Sequence, residues 1–300
     1  MGILATASKG VLKQKPIIIL YGDGGLGKDT WASKAPKPYF IDVEGGTGHL
    51  DVVRSAKPSS YDEVLAQLDA LATEQHDFQT LVLSGLDVLE GLLFQKICAE
   101  SNAKSMVMAA GGYGNGYKIA VEYWTQLQAK LASLRSNKNL QIIIICHSLT
   151  YTYNDPTTPN GYDRIRLKLH EGAKESASRL WFDFADCVLF AKKKIYHVGE
   201  KLRAMDDGKH YIYTQGRAAF DAKSRYPLPF EIELDYGAFE SALNKPRSTG
   251  DILKEILALA DECKEPAQAV KIREAATKHK DSPTDLANIL EQAKTILQRS

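Results

Sequence analysis

An uninterrupted apolar run that ends on glycine leaves a chain few conformational choices. Residues 16–31, "PIIILYGDGGLGKDTW", contain such a run. Ile17–Tyr21 are β-branched, leucine or aromatic, as in a strand buried on both faces. Gly22 then opens the spacing Gly-x4-Gly-Lys, completed by Gly27 and Lys28. A strand, a glycine-rich turn and a helix in that order build a phosphate loop. Backbone N–H groups and a helix N-terminus face the phosphates, and the lysine reaches the β- and γ-phosphates. The expected nucleotide-binding residues are Gly22, Asp23, Gly24, Gly25, Leu26, Gly27, Lys28, Asp29 and Thr30, with ATP and Mg2+ as the species bound. The bland alternative is a glycine turn that binds nothing.

One residue departs from the pattern. The position after the lysine normally carries a hydroxyl that holds magnesium, and here it is Asp29. A second departure lies in "TLVLSGLD", residues 80–87. Phosphate-loop ATPases end a later hydrophobic strand on an aspartate that supports the metal; this run ends on Ser84. One site has lost a hydroxyl and gained a carboxylate, and the other has done the reverse. The expectation is that Asp29 and Ser84 have exchanged metal roles, since a carboxylate is a good hard-oxygen ligand. Two independent losses, or Asp87 as the acidic partner, are the alternatives.

Further apolar runs follow: "KPYFIDVEGG", "FQTLVLSG" and "LQIIIICHS". Between them lie helical patterns. "SSYDEVLAQLDALATEQ" has Ser60 as N-cap, Glu63 three residues on, and apolar Val64, Leu65, Leu68 and Leu71 along one stripe. "GYKIAVEYWTQLQAKLASLRS" is a long amphipathic helix. Wholly apolar strands alternating with helices predict an α/β fold with a mainly parallel central sheet covered on both faces. After Ser148 the chain turns polar, aromatic and turn-rich; "ADCVLFAKKKIYHVGEK", "KHYIYTQGR" and "PFEIEL" then read as further strands. "NKPRSTG", residues 244–250, reads as a linker, and 251–300 as two or three helices broken near Pro266 and Pro283.

Net charge is +1, so any nucleic-acid surface must be a local basic patch. Cys98, Cys146, Cys187 and Cys263 are far apart and form no CxxC pair, which argues against a disulfide framework or structural zinc and fits a reducing cytoplasm. No apolar run is long enough to span a bilayer, and the N-terminus lacks a signal-peptide core. Met1, Gly2 and Thr6 fit a loose acylation pattern, but one acyl chain binds membranes only marginally. No membrane partner is expected.

Several separated segments together resemble a family. "YFIDVEGGTGHLDVVR", "TLVLSGLDVLE", "IICHS", "YDRIRLKLH" and "FDAKSRYPLP" occur in the order seen in phage-encoded AAA-type ATPases of the RecA-like fold, the group containing phage single-strand annealing ATPases. The resemblance covers roughly residues 15–243 and departs at Asp29 and Ser84. It implies a RecA-like ATPase core over residues 1–243, with Glu44 as the general base for the attacking water. It also implies that His147 senses the γ-phosphate, and that Lys223 and Arg225 reach a neighbouring subunit's ATP. The last role requires a homo-oligomer, a ring or a filament built from head-to-tail contacts. The bland readings are a solvated turn carboxylate, a satisfied buried histidine and a basic edge strand.

Two segments have the composition of a single-strand surface. Residues 101–118 carry Lys104, Tyr113 and Lys118, and residues 148–170 carry Tyr151, Tyr153, Arg164, Arg166 and Lys168. Cations neutralise phosphates, and rings stack on bases without choosing sequence. Asp155, Asp163 and Glu171 dilute the second patch, and a subunit contact is the alternative use. The expected function is an ATP-binding and ATP-hydrolysing recombination protein that binds single-stranded DNA and promotes annealing or strand handling. Its setting is the cytoplasm of a phage-infected or prophage-carrying bacterial cell, with a phage or host single-strand-binding protein as a further partner. A nucleotide-gated scaffold with little turnover is the rival. A nucleotide kinase fits less well, because no arginine-rich lid follows the core.

Overall fold

A computed structural model describes residues 14–157, 159–172, 175–198, 203–244, 249–263 and 265–299. Residues 1–13, with the acylation pattern, and 245–248, the centre of the expected linker, lie outside the described residues. The expected α/β architecture is present. Strands β1 (Ile17–Gly22), β2 (Pro38–Asp42), β3 (Val53–Arg54), β4 (Thr80–Ser84), β5 (Gln141–Tyr153) and β7 (Cys187–Val198) form a parallel array in the order β7-β1-β5-β4-β2-β3. An antiparallel extension adds β8 (Arg203–Tyr213) and β10 (Glu231–Glu233) beyond β7, and β9 (Lys223–Ser224) also pairs with β7.

The strands are apolar throughout because both faces are covered. Ile17, Ile19 and Tyr21 of β1 face one side, with Leu81, Leu83, Ile142 and Ile144. That side is closed by helices α2 (Tyr61–Thr73), α3 (Leu86–Glu100), α4 (Asn115–Asn137) and α5 (Ala177–Phe184), which bring Leu68, Leu93, Trp124 and Trp181. Ile18 and Leu20 face the other side with Val82, Ile143 and Ile145, under Trp31 of α1 (Lys28–Ala32) and Phe239 of α6 (Tyr236–Asn244). The period-2 alternation of side chains sends neighbouring residues to different cores.

Three local expectations need correction. The chain from Ser148 to His170 is not a turn-rich loop. β5 runs straight on past His147 to Tyr153 and pairs antiparallel with β6 (Tyr162–Leu167), Tyr151 opposite Arg164 and Tyr153 opposite Tyr162. "LTYTY" alternates Leu and Tyr with Thr, a strand pattern that its polar content disguises. His147 therefore lies within a strand instead of ending one. The α2 cap is offset: Ser60 Oγ accepts from Glu63 N, but the Glu63 carboxylate returns to the N–H and hydroxyl of Ser59. Finally, α1 is only 5 residues long, too short to carry much macrodipole.

Helices α7 (Thr249–Glu262), α8 (Pro266–Lys278) and α9 (Pro283–Arg299) pack on one another around Ile252, Ile256, Ile272, Ala276, Leu286 and Leu290. Pro266 and Pro283 each occupy the first helical residue, where a missing N–H costs no hydrogen bond. The four cysteines are free thiols. No helix among the described residues is long and apolar enough to cross a membrane.

Asp186, buried just before β7, ties three elements at the sheet's amino end. Its carboxylate accepts from Ile17 N at 2.9 Å, Arg135 Nη1 at 2.9 Å and Arg225 Nη1 at 2.8 Å. Removing a buried carboxylate strands its donors. Asp186→Ala is expected to lower unfolding stability by about 3 kcal/mol, as a reduced midpoint in denaturant titration with an unchanged slope.

Candidate nucleotide site and hairpin

The carboxyl ends of the central strands supply the site. Gly22, the last residue of β1, lies opposite His147, and Asp42, the last of β2, lies opposite Ser84, the last of β4. Open α/β sheets bind ligands at this edge. The loop leaving β1 has little steric freedom. A Cβ on Gly22 would fall 2.3 Å from the Ala191 carbonyl oxygen of β7, and Gly27 has φ +89°. Both positions demand glycine. Lys28 is buried and folds back over its own loop, donating to the carbonyls of Gly22 at 2.9 Å and Asp23 at 2.7 Å. Burial lowers its pKa, while Asp29, Cys146, Glu44 and Asp87 act in the opposite direction. Asp23 accepts from the Ser148 hydroxyl at the root of the hairpin, and His210 Nδ1 of β8 lies 2.9 Å from the Leu26 carbonyl. Gly24, Gly25 and Thr30 are exposed around the loop or just beyond it.

The two residues that depart from the usual pattern meet. Ser84 Oγ donates to Asp29 Oδ1 at 2.6 Å. A carboxylate and a hydroxyl thus stand side by side next to Lys28. Burial raises the Asp29 pKa, the Ser84 hydrogen bond opposes that, Asp42 adds to it, and Lys28 and His147 counter it. Asp42 itself is not open to a metal. Its carboxylate accepts from Gly45 N at 2.7 Å, Gly46 N at 3.3 Å, Thr47 N at 2.9 Å and Thr47 Oγ1 at 2.6 Å. Burial pushes its pKa up, but these four donors outweigh burial and hold it below the usual carboxylate range.

Asp42 fixes the turn that carries Glu44. Lys57 adds a hydrogen bond to the Glu44 carbonyl at 2.8 Å. The Glu44 carboxylate is then left facing His147, with Oε1 3.7 Å from Nε2. On its other side His147 Nδ1 lies 3.1 Å from both oxygens of Asp87, which also takes the His147 N–H at 3.2 Å. Asp87 lies in the first turn of α3 and bonds to His147 and Lys168. Ser84, not Asp87, is the group hydrogen-bonded to Asp29.

Lys28, Asp29, Glu44, Ser84 and His147 therefore gather at one edge, and Lys223 and Arg225 stand apart from it. Ser224 is paired with Cys187 at the start of β7, whereas the phosphate loop adjoins Ala191 further along the same strand. Lys223 Nζ reaches the Asp183 carbonyl at 3.1 Å, and Arg225 Nη2 reaches the same oxygen at 3.4 Å while Nη1 holds Asp186. The two cations converge, as alternate strand residues do, but not on their own chain's phosphate loop.

A family model described as an AAA domain matches residues 14–226. The chain belongs to that family. The match takes in every residue of the phosphate edge, the hairpin, and both Lys223 and Arg225. An AAA domain is a phosphate-loop ATPase fold, in keeping with the strand, loop and parallel sheet described above. Comparison with curated proteins gives no match.

The AAA domain also contains both segments with single-strand composition, and the fold brings them together. Tyr117, in the first turns of α4, stacks on His170 just past β6 with ring centroids 3.8 Å apart and planes 4° from parallel. Lys104 and Lys118 are exposed. Tyr113 is 100% exposed with φ +54°, an uncommon backbone region for a bulky residue. On the hairpin, Tyr151, Tyr153, Arg164 and Arg166 share one face, with the Arg166 guanidinium 4.0 Å from the Tyr151 ring centroid and Arg164 5.3 Å from that of Tyr153. The cations are internally paired. Arg164 holds Asp221 at 2.6 Å, Arg166 holds Glu171 at 3.2 Å, and Lys168 holds Asp87 at 3.3 Å. The face is aromatic and guanidinium-rich without a large net positive charge.

Sequence reading missed Asp42, Asp87 as a histidine partner, and Glu90. Asp42 has a local signal, since an aspartate three residues before Gly-Gly invites a side-chain-to-backbone turn. Glu90 has none. It is buried on α3, accepts the His170 N–H on both oxygens at 3.0 and 2.9 Å, and is pushed up to about 7 by burial, against that hydrogen bond and with help from Asp87.

Two outcomes follow from this geometry. Asp29→Thr alone should weaken magnesium-dependent ATP binding by about ten-fold, roughly one lost charged contact, and adding Ser84→Asp should restore part of it. Titration of nucleotide against the single and double variants decides this, and a double variant no better than Asp29→Thr would refute the exchange. For Glu90 the folded pKa is raised, so its contribution favours folding below the unfolded value and is lost as pH rises towards about 7. Glu90→Gln keeps an acceptor for His170, and its unfolding midpoint should depend less on pH than wild type's between about 4.5 and 7.

Proposed function

We propose that this protein binds ATP with Mg2+ at Gly22–Thr30, hydrolyses it with Glu44 as general base, and couples that cycle to single-stranded DNA held along the hairpin. The observation that carries this reading is the meeting of Lys28, the Asp29–Ser84 pair and the Glu44–His147 pair at one edge of the sheet. Phosphate oxygens would take over the Lys28 ammonium from the loop carbonyls it now bonds. Asp29 and Ser84 are the donors that fit magnesium, which usually takes one or two protein oxygens beside phosphate and water. The ion, when bound, neutralises charge on the β- and γ-oxygens. Glu44 sits on a turn locked by Asp42 and Lys57, as a base that must meet water in one orientation requires.

The DNA partner is supported by the hairpin's interleaved rings and guanidinium groups and by the motif resemblance to phage-encoded annealing ATPases. Annealing or strand handling in recombination is the role that follows. Lys223 and Arg225, kept from their own chain's loop, would complete a neighbour's site in a head-to-tail homo-oligomer, ring or filament. One observation favours a second reading, a nucleotide-gated scaffold with slow turnover. Burial raises Asp29, and its bond to Ser84 occupies the two groups magnesium would need.

The test is magnesium-dependent ATP hydrolysis by the full chain with and without single-stranded oligonucleotide, beside Lys28→Ala. The expected result is turnover that the oligonucleotide stimulates and that Lys28→Ala reduces by about 100-fold or more. ATP binding without turnover in either condition would overturn the motor reading in favour of the scaffold.

A further inference from the structure

The hairpin and the phosphate edge share one carboxylate. The Asp87 side chain is 6% exposed and accepts twice from His147, at the backbone N–H and at ring Nδ1. A carboxylate oxygen accepts, so Nδ1 carries a proton, and in the neutral imidazole that leaves the lone pair on Nε2. That lone pair stands 3.7 Å from Glu44 Oε1. Two acceptors so placed can take the two hydrogens of a single water, which orients its oxygen for attack.

Lys168 is the other claimant on Asp87. Its Nζ lies 3.3 Å from Oδ2, its side chain is 55% exposed, and its own N–H donates to the His147 carbonyl at 3.0 Å. Arg164 and Arg166 are paired with Asp221 and Glu171, and among the described residues neither carboxylate is hydrogen-bonded or ion-paired to Lys28, Asp29, Glu44, Ser84 or His147. Lys168 is thus the hairpin cation whose partner also holds His147. An ammonium on Oδ2 draws on the same charge that holds the imidazole N–H, because a charge-assisted hydrogen bond weakens when its acceptor is shared.

We propose that Asp87 is a positioning residue for the attacking water, shared between His147 and Lys168, and that a single-strand phosphate drawing Lys168 off Asp87 raises ATP hydrolysis. This rests on the reading of a DNA-coupled ATPase given above. With Lys168 gone, the full charge of Asp87 falls on Nδ1–H. The ring is held more firmly, and Nε2 becomes the better acceptor for water. Binding on the hairpin is then felt at Glu44 with no movement of the sheet, because Lys168 and His147 are already bonded through both backbone and Asp87.

The experiment is steady-state ATP hydrolysis by the full chain carrying Lys168→Met, which removes the ammonium and keeps the exposed stem. Turnover without DNA should rise at least about 5-fold, the lower end of ordinary coupling between sites. The KM for ATP should be unchanged, and saturating oligonucleotide should add no further rate. Asp87→Asn should lower kcat at unchanged KM and lose the stimulation. A Lys168→Met protein whose DNA-free rate is no higher than wild type, with full stimulation at saturating oligonucleotide, would make Lys168 a plain phosphate contact and overturn the proposal. A wild-type protein that hydrolyses ATP at one rate with or without any single strand would instead overturn the DNA-coupled reading beneath it.

Discussion

Strand register at one edge of a doubly covered parallel sheet governs this molecule. Gly22 faces His147 and Asp42 faces Ser84 because four apolar strands are locked by cores on both sides. A slip of one residue in any of them would exchange the two cores, at a cost no surface contact could offset. The chemistry at the edge is therefore set by packing well below it. The close approach of Gly22 to Ala191, the lysine turned onto its own loop, and the contact of Asp29 with Ser84 all follow from that register.

Electrostatic compensation is the second recurring theme. Asp42 is spent on four donors, Asp186 on three, and Asp87 on His147 and Lys168. Each is a buried carboxylate that stays satisfied, Asp42 by the donors of its own turn and Asp186 and Asp87 by donors from separate stretches of chain. Their consequences differ. Asp42 stiffens a turn that carries a candidate base, and Asp186 fastens the far end of the sheet. Asp87 joins the phosphate edge to the hairpin. The hairpin's cations are likewise paired, so its rings, more than its net charge, define what it offers a partner.

Local features were legible in the sequence to the extent that one short stretch decides them. The strand and loop of residues 16–28 announce themselves through β-branched residues and glycine spacing. The helix boundaries at Pro266 and Pro283 are equally local. The hairpin was harder, since Thr and Tyr in alternation are strand-forming yet polar enough to pass for loop. Side-chain pairings were beyond reach. Arg164 and Asp221 are 57 residues apart, and Asp87 and His147 are 60 apart. Neither separation has a period or a motif, and only folding brings such partners within hydrogen-bond distance.

The sequence by itself determined an α/β class, a glycine loop with its lysine, and a complementary change of residue type at positions 29 and 84. Those follow from hydrophobic period and backbone permissiveness, which act within a few residues. Tertiary structure decided that Asp29 and Ser84 touch, that Glu44 faces His147, and that Lys223 and Arg225 lie away from their own chain's phosphate loop. It also decided that a hairpin lysine shares its carboxylate with that edge. These depend on which strands become neighbours and in what register, and that is settled by burying two cores at once, not by any single segment.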